Sequence, residues 1–193
     1  MKYQLQIKHV LFIGLLLWIP LLAIRGAFWD SWVVLWAYEN KGVAFLFDIG
    51  MQVAHAGWIP PYVFFLKVGE SYVNELGRLT SIIFHLLNTY LIYLILCKNK
   101  FWKDSALLVA IIYVLSPFYI ARLCVNFAPF DIYIASYLAS ILLIHRNGLG
   151  YKILGYFLLI ISFSFEVLMA LEVLRIIYLY EGQKNWKNIV KQV

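Results

Sequence analysis

Three groups of polar side chains stand out in a chain that is otherwise apolar. Asp48, Gln52 and His55 are spaced i, i+4 and i+7, so a helix over residues 43–56 puts a carboxylate, an amide and an imidazole on one face. That stripe could hold a metal or a phosphate-bearing ligand. However, one carboxylate and one imidazole do not make a metal site, and a solvated helix face carries the same residues. Arg78, Ser81, His85 and Asn88 follow at offsets of 0, 3, 7 and 10, again a single helical stripe. Polar residues at membrane depth turn toward the bundle interior or a wet cavity, and hydrogen bonding between helices is the simplest use for them. Arg78, near the outer mouth of its helix, is the member suited to an anionic ligand. In the third group, Asp30 and Arg122 follow apolar segments and Glu166 interrupts one.

The elements that position these residues follow from composition. The chain has 193 residues, of which 64% are hydrophobic and only 13% charged. A soluble domain of that length still exposes roughly a third of the surface of its unfolded chain, which so few polar residues cannot cover. The expectation is an all-α integral membrane protein. The net charge of +6 comes from basic tracts lying between apolar segments, a membrane-orientation pattern that leaves no nucleic-acid reading. Cys97 and Cys124 read as small buried hydrophobes.

Membrane segments need about 20 apolar residues each. Candidates cover residues 10–24, 79–97, 105–121 and 127–144, and the first is kept as an uncleaved helix because no small-residue cleavage site follows it. The last apolar stretch, 153–180, would make a helix about 42 Å long, too long for one level span. A break near Glu166 with a short returning segment brings the total to about six membrane segments. It also puts Lys2, Lys8, Lys98 to Lys103, Arg146, Lys152 and the tail lysines on the cytoplasmic side with both termini. One long tilted helix is the alternative, and it violates the charge rule.

The chain then reads as a single membrane domain over residues 1–193. Residues 1–24 form the first helix, 25–78 a large first outer loop with interfacial helices, and 79–193 the remaining membrane helices and a cytoplasmic tail. In the loop, Trp32, Val33, Leu35 and Trp36 predict an interfacial helix with Asp30 at its N-cap position. Residues 57–61, Gly-Trp-Ile-Pro-Pro, predict an extended turn before the apolar run 62–68. Asp30, Asp48, Arg122 and Glu166 all fall on the outer side.

An acid directly after the first membrane helix, interfacial helices, a proline-containing segment and then GRLTSIIFHLLNTYLIYLIL from Gly77 to Leu96 resemble the GT-C superfamily of integral-membrane glycosyltransferases, the protein O-mannosyltransferase-like branch in particular. LSPF from Leu115 and SFSFE ending at Glu166 extend the resemblance over most of the chain, which matches the family's conserved N-terminal module. The FWDSW motif of the first loop has a single acid, Asp30, where relatives often have an adjacent pair, and GT-C enzymes are usually more than twice this long.

The resemblance implies transfer of a sugar from a polyprenyl-phosphate-linked donor to a glycan, lipid or protein hydroxyl on the extracytoplasmic face. It implies Asp30 as catalytic base, Asp48 and Glu166 positioning acceptor or metal, and Arg78 and Arg122 holding the donor phosphate. His55, His85 and Asn88 would line the cavity, and a divalent cation is the cofactor class those acids suggest. A non-catalytic membrane module that binds a lipid-linked saccharide or a partner protein is the alternative. A small transporter is the weakest reading, because no repeat symmetry is visible.

Overall fold

A computed structural model describes residues 5–24, 31–52, 57, 59–116, 128–165, 168–169 and 172. All regular structure among them is helical: α1 (Ile7–Trp18), α2 (Ser31–Gln52), α3 (Ile59–Gly69), α4 (Val73–Lys98), α5 (Ala106–Leu115), α6 (Ala128–Ile144) and α7 (Leu149–Ser162). At 26 residues, about 39 Å, α4 is the one described helix long and apolar enough to cross a membrane by itself.

Local chemistry explains most of the boundaries. His9 accepts the Gln6 backbone N–H at 3.1 Å and closes the start of α1. Pro20 has no N–H to continue the α-helical ladder, and the chain tightens into a 3₁₀ turn over Ile19–Ala23. Gly42, at φ 76° and ψ −178°, divides α2 into two helical segments. The extended turn expected at 57–61 is corrected: Pro60 and Pro61 lie in the first turn of α3, where their missing N–H groups cost nothing. Ser116 ends α5 at φ −56° and ψ 122°, the conformation that a following proline imposes. The helix that opens the last apolar stretch stops at Ser162, and turns at Phe163 to Phe165 precede Leu168.

The central helix is α4, packed against α1, α3, α5 and α6. The pairing of α1 with α4 is antiparallel, with Ile24 beside Arg78 and Gly14 beside Leu86. The α5 helix returns along α4, so that Val114 reaches His85. From Ala128, in the cluster that holds Val73, α6 passes Ser81 and Asn88 at Asp131 and so runs in the same direction as α4. Close contact of Gly155 with Ile144 and Leu143 brings α7 back along α6. One end of the bundle therefore gathers Lys8, Lys98, Lys100, Lys103, Arg146 and Lys152. At the other end, a core of Ala37, Leu46, Ile59, Tyr62, Phe65, Leu66, Val73 and Ala128 seats α2 and α3 against the starts of α4 and α6.

Candidate functional site

The α4 stripe is entirely internal: Arg78, Ser81, His85, Asn88 and Thr89 have no exposed surface. Because α4 starts at Val73, Arg78 lies in its second turn. Its Nη1 donates to the Ile24 carbonyl, which closes the 3₁₀ turn after α1 and has no further helical residue to bond. The arginine thus fastens the end of the first helix to the second turn of α4.

One turn along, Ser81 Oγ donates to the carboxylate of Asp131, and Asn88 Nδ2 donates to the Asp131 backbone carbonyl at 3.1 Å. Asp131 is only 4% exposed and lies in the first turn of α6, where the helix dipole favours a negative charge. Asn88 Oδ1 is buried and makes no hydrogen bond among the described residues. On the opposite side, His85 Nε2 stands 3.3 Å from the Val114 carbonyl, which also accepts Trp18 Nε1 at 3.0 Å. A carbonyl can only accept, so Nε2 carries the hydrogen in that contact. The imidazole lies between Trp18, edge-on at 5.9 Å, and the ring of Tyr113 at 4.9 Å. These contacts join α1, α4, α5 and α6 through one buried polar cluster.

The other expected residues are placed differently. Asp48 and Gln52 are exposed on the second segment of α2, apart from the buried cluster. No group of three or more His, Cys, Asp or Glu side chains able to hold a metal occurs among the described residues. Asp30, His55, Arg122 and Glu166 lie outside the described residues. Described residues on their flanks meet at the end of the bundle opposite the lysines: Ile24 against Arg78, Ala128 in the α2–α3 core, and Phe165 stacked on Phe130 at 4.6 Å. Tyr133 Oη donates to the Gly57 carbonyl at the same end.

Sequence spacing does not single out Asp131, although an acid three residues into an apolar segment, Ala-Pro-Phe-Asp, is itself a signal. Trp18, Tyr113 and the Val114 carbonyl join the site only through packing, which no spacing on α4 encodes. Comparison with models of known protein families, with curated proteins and with solved structures finds no match to this chain.

Proposed function

We propose that the chain is a multi-pass membrane domain that transfers a sugar from a polyprenyl-phosphate-linked donor to an acceptor hydroxyl at its extracytoplasmic end. The observation that carries the membrane part is an inverted distribution of polarity. Arg78, Ser81, His85, Asn88 and Asp131 are inside, while Phe12, Leu16, Ile83, Leu108, Ile112, Phe157 and Ile160 face outward. Water would penalise that arrangement and lipid favours it. In this reading α1 with its 3₁₀ turn, α4, α5, α6, α7 and a short returning segment make six membrane segments. The lysine-rich end lies in the cytoplasm with both termini, and α2 and α3 lie at the outer interface, Trp32 and Trp36 exposed to the headgroups.

The chemistry assigned to the outer end rests on the GT-C resemblance. Asp30 takes the proton of the acceptor hydroxyl, and the acceptor oxygen attacks the anomeric carbon. The bond to phosphate breaks, and polyprenyl phosphate leaves with its charge offset by Arg122. Asp48 and Glu166 position the acceptor. Arg78 holds Ile24, six residues before Asp30, and so helps to set the height of the base. The described donor groups do not fit a metal site, and no step runs through a metal.

The test is transfer from a lipid-linked sugar donor by the purified protein in lipid, with Asp30→Asn losing at least about a hundredfold in rate, the usual worth of a general base. Full activity of that variant would remove Asp30 from the mechanism. The second reading is a membrane module that binds a lipid-linked saccharide without catalysis. Binding of the donor by a wild-type protein that transfers nothing would select it.

A further inference from the structure

An apolar groove of about 360 Å³ runs along the seam between α1 and α4, lined by Leu11, Phe12, Leu15, Leu86, Leu87 and Tyr90 with no polar surface. On α1, Lys8 is three residues before Leu11, four before Phe12 and seven before Leu15, so it continues the same stripe. Lys98 lies eleven residues, three full turns, beyond Leu87 and continues the α4 side. Both lysines are exposed at the end of the bundle where Lys100 and Lys103 also lie, with Asp104 the acid among them. With Gly14 set against Leu86, Lys98 stands about 9 Å further toward that end than Lys8. Two flexible four-carbon stems can bring both ammonium groups to one headgroup plane across that offset.

We propose that this groove is a binding site for an anionic phospholipid of the cytoplasmic leaflet, with one acyl chain along the α1–α4 seam and the phosphate between Lys8 and Lys98. A hydrocarbon chain suits a groove without polar lining, and the two lysines supply complementary charge where the groove leads. The position separates this site from the sugar donor of the proposed reaction, whose phosphate belongs at the opposite end. The inference rests on the membrane reading but not on the transferase reading.

Full-length protein reconstituted in phosphatidylcholine vesicles would be titrated with a spin-labelled phosphatidylglycerol and, separately, with spin-labelled phosphatidylcholine. The motionally restricted fraction measures association. The phosphatidylglycerol is expected to be preferred, with the preference falling about fivefold for Lys8→Gln and again for Lys98→Gln, the usual worth of one lysine at an anionic surface. Leu15→Trp, which fills the groove, is expected to reduce restriction of both lipids at this site. Equal association of the two lipids with a properly inserted protein would overturn the site while leaving the membrane reading intact. Displacement of the label by polyprenyl phosphate at equal concentration would assign the groove to the donor instead. A protein extracted from the vesicles by alkaline carbonate would sink the membrane reading and this site with it.

Discussion

Ser81 on α4 gives its hydroxyl hydrogen to the Asp131 carboxylate on α6, joining two helices across 50 positions of chain. Neither residue reaches solvent to an extent that would let water replace the bond. Asp131→Ala is therefore expected to cost about 1–3 kcal/mol, the penalty for leaving a buried donor unpaired, whereas Asp131→Asn keeps an acceptor and is expected to cost less. Unfolding titrations in bicelles would measure both. A double-mutant cycle with Ser81→Ala should give a coupling of about 0.5–3 kcal/mol. Additive effects of the two changes would mean that the bond contributes nothing.

Close approach of α1 to α5 depends on Gly14. A Cβ there would run into Val114 Cγ2 and lie 3.1 Å from Leu86 Cδ2. Gly14→Ala is expected to destabilise by about 1–3 kcal/mol through overpacking, and Gly14→Leu by more. Trimming the neighbour should compensate: Gly14→Ala with Val114→Ala should recover most of the loss in the same titration. A double variant no more stable than Gly14→Ala would place the cost elsewhere.

The α4 stripe was legible in the sequence because its members lie on one helix, where spacing fixes the face. The division of the first loop was legible too: one helical piece was expected to end at Glu39 and the next to begin at Val43, and the break in α2 falls between them at Gly42. Pro60 and Pro61 misled because a proline pair serves equally to open a helix and to extend a turn, and the core around Tyr62 and Phe65 decides between them. The Ile24 carbonyl that receives Arg78 lies 54 positions away, a relation that spacing cannot express. Asp131 went unselected for the same reason.

Membrane orientation can be tested by cysteine accessibility. Lys41 and Lys100 are both exposed, on α2 and just after α4, so neither site is hidden from a reagent by the fold. In the six-segment reading, Lys41→Cys should react with a membrane-impermeant maleimide added outside intact cells. Lys100→Cys and Lys187→Cys should react only after permeabilisation. Labelling of position 187 from outside would reduce the number of crossings to five.

Gly42 gives the last test, because its φ of 76° with ψ near −178° belongs to a region that only glycine occupies without strain. No atom lies within 4 Å of where its Cβ would stand, so a substitution there meets a backbone penalty and no steric one. Two responses to Gly42→Ala compete. The chain can keep the break and bear about 1–3 kcal/mol of strain. Alternatively it can run on as one straight helix, which moves the second segment and pulls either Ala37 or Leu46 from the core they share with Tyr62 and Phe65. Exposing a buried leucine alone costs about 1.5–3 kcal/mol, and Asp48 and the rest of its segment would move with it. Since both flanks are anchored, the break should survive: spin labels at Trp36→Cys and Phe47→Cys should keep their wild-type separation while stability falls. Incorporation of D-alanine at position 42, for which a positive φ is relaxed, should leave both unchanged. A Gly42→Ala protein with wild-type stability and the roughly 16 Å separation of a continuous helix would show that the core does not hold α2 bent.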